Sequence, residues 1–355
     1  MEIKNELPKK SPLSMQMDLS KFELATADEK RQQDRMREST TFFKDGIRKL
    51  KKDKISIACL VILAIIMIIA FVVPSFYPYD YATTSAGKNS ITTNYLAPFQ
   101  YSPAEQAIID SGGHVFPHIL GTDELGRDYA ARVIFGTSIS LLVGIIAAAI
   151  VVLIGVIYGA VSGYFGGKVD LVMMRIVDII YSLPDMLMVI LLSVVLKEVL
   201  TPVIQGTFLD KIGSNMISLF IVFGVLYWVG MARLVRGQIL SIKENEYILA
   251  ARSIGAKPGR IIRKHILPNC LSVIIISTAL QVPSAIFTES FLSFVSLGVQ
   301  APMPSLGSLA NAARGGMMSY PHKLVFPSIV ICLIVLAFNL LGDGLRDAFD
   351  PKLRR

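Results

Sequence analysis

Charge is scarce in this 355-residue sequence: Asp, Glu, Lys and Arg together make up 17%, against 53% hydrophobic residues. Soluble domains carry about a quarter charged residues, so a soluble globular fold is excluded. Cysteine is scarce too. Cys59, Cys270 and Cys332 lie in or beside apolar runs with no short mutual spacing, which argues against a disulfide framework or a zinc site and leaves three small hydrophobes. The four histidines, His114, His118, His265 and His322, do not cluster. Pro117 between His114 and His118 argues against a helical metal pair. No Ser-His-Asp or Cys-His arrangement can be assembled, so a membrane hydrolase has no support. No Gly-x-x-x-x-Gly-Lys-Ser/Thr occurs anywhere, and residues 255–259 lack its spacing and its terminal Lys-Ser/Thr, so the chain does not cradle a nucleotide phosphate. Short repeats and low-complexity tracts are absent as well.

What is abundant is long apolar sequence. A bilayer core of about 30 Å takes roughly 20 apolar residues of helix, and six segments qualify: 55–73, 139–161, 171–196, 216–232, 271–297 and 324–341. The expectation is an all-α polytopic membrane protein with six transmembrane helices. The first run begins 54 residues into the chain and is too long for a signal h-region, so it is expected to remain in the mature protein. Of the 35 Lys and Arg, 27 lie in segments 1–54, 162–170, 233–270 and 342–355, and 7 in 74–138, 197–215 and 298–323. The basic side is the cytoplasmic one, which puts both termini in the cytoplasm. The same asymmetry accounts for the net charge of +8 without nucleic acid as a partner.

These spans organise the rest. Residues 1–36 are polar, with Pro8 and Pro12, and read as a disordered cytoplasmic tail. Residues 37–54 are basic, and Phe43, Ile47 and Leu50 recur at helical spacing; they suit a helix lying on an anionic leaflet or an extension of the first span. The 55–73 span is followed by an extracytoplasmic loop, 74–138. Pro74, Pro78, Pro98, Pro103 and Pro117 break it, and it either folds over a pore mouth or is simply solvated. A core domain over 139–342 holds spans two to six, and 343–355 is a cytoplasmic end.

Within that core, the cytoplasmic segment 233–269 is too long for a turn. Residues 246–254 are helix formers with a small Ala250–Ala251 surface, Gly255 is a natural stop, and Ile261, Ile262 and Ile266 start a second helix that Pro268 limits. Ala250, Ala251 and Gly255 leave the first helix shallow, as a helix that fits a groove on another protein must be; the alternative is packing on its own bundle alone. Ionisable groups inside spans face bundle interiors. Asp178 and Asp185 are seven apart, hence on nearly one helix face, with Arg175 placed to pair with Asp178. Glu289 stands inside the fifth span.

The stretch Tyr247-Ile248-Leu249-Ala250-Ala251-Arg252-Ser253-Ile254-Gly255, followed by His265-Ile266-Leu267-Pro268-Asn269, resembles the signature loop of importer-type ABC transporter permeases, and more narrowly their peptide-importer branch. The family pattern is Glu-Ala-Ala, three residues, Gly, nine residues, then Ile-x-Leu-Pro. Here Leu249 replaces the Glu and His265 the first Ile, and Glu246 stands one turn before Leu249. Leu120-Gly121-Thr122-Asp123-Glu124-Leu125-Gly126-Arg127-Asp128, Phe287-Thr288-Glu289-Ser290-Phe291-Leu292-Ser293-Phe294, and the end from Gly342 to Arg354 are similar to the OppC/DppC type of permease. The resemblance covers about residues 45–355.

It implies the type I ABC importer permease fold and a chain without catalysis or cofactor of its own. It implies as partners a homologous OppB-like permease, two OppD/OppF-like ATPases that hold ATP and Mg, an OppA-like extracytoplasmic binding protein, membrane lipids and a peptide substrate. Helix 246–255 would be the coupling helix, with Glu246, Tyr247, Ala250, Ala251, Arg252, Gly255 and Pro268 as the residues that meet the ATPases. Glu289, Asp185 and Gln281 are candidate pathway or gating residues. Oligopeptide is the expected cargo. Dipeptides, glutathione and nickel chelates are carried by permeases with the same motifs. An ion-coupled secondary transporter would instead use Asp178, Asp185 and Glu289 and would show an internal repeat of spans, which the sequence lacks.

Overall fold

The computed structural model describes residues 42–83, 93–301 and 303–349. The 1–36 tail lies outside them. The chain divides after Asp45; of the first unit only 42–45 are described, the opening turn of helix α1 (Phe42–Leu50). The second unit carries everything below.

Helix α1 stops at Leu50, and a new helix, α2 (Lys54–Phe71), starts behind Asp53, whose carboxylate accepts from the amides of Ile55 (3.2 Å) and Ser56 (3.0 Å). An Asp at this position satisfies amides that the helix itself leaves unpaired, so α1 is a separate helix and not an extension of the first span. Beyond α2 come α3 (Pro103–Asp110), α4 (Tyr129–Phe165), α5 (Gly167–Tyr181), α6 (Asp185–Ile204), α7 (Ser214–Ile242), α8 (Glu246–Ser253), α9 (Pro258–Phe294), α10 (Leu306–Arg314) and α11 (His322–Phe349). Among the described residues there is no strand, only an isolated bridge between Thr122 and Asp128. Six helices are long and apolar enough to cross a bilayer: α2, α4, α6, α7, α9 and α11.

The structure lengthens the fourth and fifth spans, α7 running ten residues past the expected end at 232 and α9 starting thirteen before 271, and four further features differ from the sequence reading. The expected third span, 171–196, is two helices: α5 ends at Tyr181, Ser182-Leu183-Pro184 breaks the chain, and the crossing helix α6 begins at Asp185. Pro184 lacks an N–H and keeps Leu183 out of helical geometry, so the apolar run continues where the helix does not. The 74–138 loop ends ten residues early, because Asp128 caps α4, its Oδ1 accepting from Ala131 N at 2.7 Å. Pro268 does not limit a helix. A π turn over Ile262–Ile266 precedes it, leaving Pro268 in the first turn of the following α-helical stretch, where a missing N–H is tolerated. Finally, 343–349 is not a separate end but the last turns of α11; 350–355 lies outside the described residues.

Helices α4, α7 and α9 have 39–44% of their apolar windows buried, against 17–22% for α2, α6 and α11, so the former make the centre and the latter its periphery. The α4–α7 contact is the most extensive. Gly155, Gly159 and Gly163 recur every four residues on the α4 face that meets α7; a Cβ at Gly159 would lie 2.4 Å from the Ala232 carbonyl oxygen, and one at Gly155 2.6 Å from Met231 Cβ. Small residues at this spacing let two backbones approach within a membrane.

The loop before α4 is folded, not merely solvated. Thr122 Oγ1 donates to Thr93 O and accepts from Leu96 N at 3.0 Å, Phe99 N donates to His118 O at 2.8 Å, and Tyr129 N to Gly121 O at 2.9 Å. Gly121 has φ +76° and would carry a Cβ 2.1 Å from Leu96 O, so glycine is required there.

Candidate functional site

Helix α8 begins behind Asn245 and stops at Gly255, whose φ of +81° ends the helix. Ile248 and Ala251, three apart and so on one face, are buried among Ile239, Ile261, Ile266 and Cys270. That face anchors α8 onto α7 and α9. The opposite face carries Glu246, Leu249, Ala250 and Ile254 into the open, Ile254 at 85% exposure. The seven predicted coupling residues therefore divide. Glu246, Ala250 and Gly255 are exposed. Tyr247 is also exposed, but its hydroxyl accepts from Asn269 Nδ2 (3.1 Å), and Asn269 donates as well to His265 O (2.7 Å), which ties α8 to α9 beside the exposed Pro268. Arg252 lies 5.0 Å over the Tyr164 ring of α4. Ala251 faces the bundle at 7% exposure. The shallow outer surface is thus made by Ala250 and Gly255, and Ala251 makes the seat instead.

Ion pairs brace the helices that lead into α8. Arg236 of α7 makes two bonds of 2.5 Å to Asp170 of α5, which also accepts from Ser162 Oγ at 2.5 Å. The Arg236 hydrogen bond is the main cause holding the Asp170 carboxyl below the ordinary carboxylate range, against the opposing effect of burial. Lys243 Nζ donates to Gly163 O at 3.1 Å. The expected Arg175–Asp178 pair is not formed. Asp178 bonds Arg233 of α7 at 2.8 Å instead, and Arg233 stacks over Tyr181 at 4.2 Å. Nor do Asp178 and Asp185 share a helix face, since the chain breaks between them.

The candidate pathway residues are not brought together. Asp185 is exposed at the start of α6, where its Oδ1 accepts from Met186 N at 2.8 Å, beside a cavity of about 400 Å³ lined by Tyr181, Pro184, Met188 and Leu226. Gln281 is half-buried on α9. Glu289 is wholly enclosed: Oε2 accepts from Ser140 Oγ (2.8 Å) and Oε1 from Ser293 Oγ (2.7 Å). Those hydroxyls in turn accept the amides of Leu306 (3.2 Å) and Val299 (3.0 Å), so Glu289 links α4, α9 and the start of α10.

Sequence reasoning missed two features. The glycine stripe of α4 was legible as three glycines at four-residue spacing. The second is the order built into residues 120–128. Asp123 Oδ1 accepts the amides of Leu125 and Arg127 at 2.9 Å, and its Oδ2 holds Arg127 Nε at 2.7 Å and also Arg132. Asp128 and Glu105 grip the two ring nitrogens of the buried His118 at 2.8 and 3.0 Å. No local pattern announces a pairing made across a loop.

Comparison with known proteins agrees with this architecture. Residues 155–355 match the family described as the binding-protein-dependent transport system inner membrane component, and residues 41–107 match the N-terminal TM domain of oligopeptide transport permease C. The chain is 44% identical over 320 residues to the dipeptide transport system permease protein DppC of Bacillus subtilis, covering 90% of this chain and 88% of that one. It is 39% identical to the oligopeptide transport system permease protein OppC of the same organism, over 94% and 97%. It is also 36% identical to the glutathione transport system permease protein GsiD of Pectobacterium atrosepticum, over 86% and 90%.

Proposed function

The chain belongs to the family of binding-protein-dependent transport system inner membrane components, and from that membership we propose that it is one of two permease subunits of an ATP-driven peptide importer. The relatives carry dipeptides, oligopeptides or glutathione by name, and short peptides are what these cargoes share; oligopeptide is the cargo proposed here. The α8 side faces the cytoplasm, where the basic segments are, and the 74–128 side faces outward. A homologous permease completes the pathway, two ATPases holding ATP and Mg act from below, and a peptide-binding protein delivers from outside. Phosphoryl transfer belongs to the ATPases.

The observation that carries this reading is the two-faced α8. One face is fixed to the bundle by Ile248 and Ala251, and the other offers Leu249, Ala250 and Ile254 outward, apolar and shallow at its middle. Such a helix seats in a groove of a partner. Because it is joined to α7 and α9 by short connections and bolted to α9 through Tyr247 and Asn269, a push on α8 moves the core helices with it, as alternating access requires. The enclosed Glu289 then serves as a fixed joint of the moving body.

Replacing Ala250 with Arg tests the reading. The position is exposed, and Arg is a good helix former, so the chain should fold and pair with its sister permease while the ATPases are lost from the purified complex. Gly255→Arg is the poorer probe, since φ +81° strains any side chain there. Retention of both ATPases and full ATP-driven uptake by Ala250→Arg would sink the coupling role of this face.

A further inference from the structure

On the outward side a cation is buried without an acceptor. Lys323, in the first turn of α11, is 5% exposed, and its Nζ has no hydrogen-bond partner among the described residues. It lies 4.0 Å from the Tyr95 ring and 4.6 Å from that of Tyr320, and the two rings stack at 4.7 Å. Arg132 Nε, 8% exposed as a residue, is likewise unpartnered. The nearby carboxylate of Asp123 is already shared by Arg127 and Arg132, and it makes no hydrogen bond to the lysine. A cavity of about 100 Å³ is lined by Tyr95, Asp123, Glu124, Arg132, Tyr320 and Lys323. The ring faces and the charges of Asp123 and Glu124 stabilise this ammonium in part, but Nζ lacks the hydrogen bonds that a buried charge demands.

The cover over this cation is poised. Tyr95 has φ +57°, in the left-handed region that a tyrosine rarely takes, and at 38% exposure it is one of the outer walls of the pit. It is held by its amide, which donates to Asp123 O at 3.1 Å, by a hydrogen bond from its hydroxyl to Glu124 and by the stack on Tyr320. Rotation of its side chain uncovers Lys323 Nζ at the cost of the Glu124 bond and the Tyr320 stack, while the amide bond stays in place. A space of about 100 Å³ suits the end of one acidic side chain, and Glu124 on the rim disfavours a dianion such as phosphate.

We propose that this pit receives a single Asp or Glu side chain of the extracytoplasmic binding protein, which enters past the Tyr95 ring and bonds Lys323 Nζ. The proposal rests on the importer reading and names the docking point for that partner. All walls of the pit come from outward-facing elements: the loop around 95 and 123–124, the starts of α4 and α11, and the end of α10 with the segment after it. A protein seated on that face therefore reaches it directly, and one desolvated charge pair at its centre fixes the register of docking.

The test uses the assembled wild-type importer in nanodiscs with its binding protein and a water-soluble carbodiimide. The reagent activates a carboxyl group as an O-acylisourea. The Lys323 amine attacks that carbonyl carbon, the urea leaves, and an amide bond forms with loss of the amine proton, so mass spectrometry reports which carboxylate touches Nζ. The expected product joins Lys323 to an Asp or Glu of the binding protein. In parallel, Lys323→Gln should raise the Kd of the binding protein about tenfold or more, with Lys323→Arg in between. A bond only to Glu124 or Asp123, a bond to the peptide's own C-terminus, or an unchanged Kd for Lys323→Gln overturns the proposal. If Lys323→Gln does not assemble, the wild-type cross-link decides alone. Failure of the importer reading looks different: the wild-type complex would retain no binding protein and show no ATP-driven uptake.

Discussion

His118 shows how one residue holds a loop. Its ring is 2% exposed, stacked on Tyr79 at 4.6 Å and bonded at both nitrogens, to Asp128 and to Glu105. Burial works against a charged imidazole, yet the hydrogen bonds and charges of Asp128 and Glu105 outweigh it and raise the pKa of His118 above its ordinary value. Glu105 is lowered: burial opposes this, but the bonds from Ser102 and His118 prevail. Tyr77, which donates to Asp128 at 3.3 Å, and Tyr79, pushed up to about 12 chiefly by burial, stay neutral throughout. The signs follow by linkage. The stabilisation from His118 is fully present below its unfolded pKa of about 6.5 and is lost as pH rises through the raised folded value. That from Glu105 is present above its unfolded pKa and is lost as pH falls through the lowered one. Hydrogen exchange of residues 93–128 should therefore be slowest in mildly acid solution and quicken as the medium turns alkaline, beyond the intrinsic effect of pH. His118→Gln should flatten that dependence. Protection that tracks intrinsic exchange alone in the wild type would refute the latch.

At the scale of elements, the glycine stripe of α4 makes a sharper demand than its apolar sequence suggests. A methyl at Gly159 would meet the Ala232 carbonyl at 2.4 Å, and a backbone atom in a packed helix cannot step aside as a side chain can. Gly159→Ala should cost about 1–3 kcal/mol of stability by overpacking, read as a lower melting temperature of the purified complex. Gly237→Ala, where nothing lies within 4 Å of the added carbon, should be neutral or slightly stabilising through helix propensity; equal losses at the two positions would refute close approach as the cause. Much of the element order was legible, because an apolar run of twenty residues has one reading in a bilayer. The third span was misplaced because hydropathy is blind to a backbone break: the run 171–196 is long and apolar enough to read as one span, and Leu171 and Ile179 are over 60% exposed in α5, but Ser182-Leu183-Pro184 breaks the helix within it. Adjacent alanines gave the same difficulty on α8. Ala250 and Ala251 read as one small surface, yet successive residues lie about 100° apart around a helix, so one lies on the exposed face and the other in the seat on the bundle.

For the whole molecule, everything functional turns on which face is inside. The distribution of Lys and Arg, 27 against 7, points one way, and the six crossings place α8 and the Lys323 pit on opposite sides of the bundle. Single cysteines decide the matter. Cys59 and Cys270 are buried and can stay, while the exposed Cys332 is replaced by Ala; Ser253→Cys and Glu124→Cys are then introduced one at a time at exposed positions. A membrane-impermeant maleimide should label Glu124→Cys in right-side-out vesicles and Ser253→Cys only in inverted ones. The reverse pattern would place α8 where no ATP is found and the pit where no delivering protein acts, and both proposals would fall together. The expected pattern leaves each to its own test, because orientation is necessary for both and sufficient for neither. On the two proposals taken together, this chain carries a cytoplasmic lever and an outward landing point, and α4, α7, α9 and α11 are the members that would join them. Mutations in the α4–α7 contact should therefore impair uptake even where ATPase binding and delivery-protein binding are both intact.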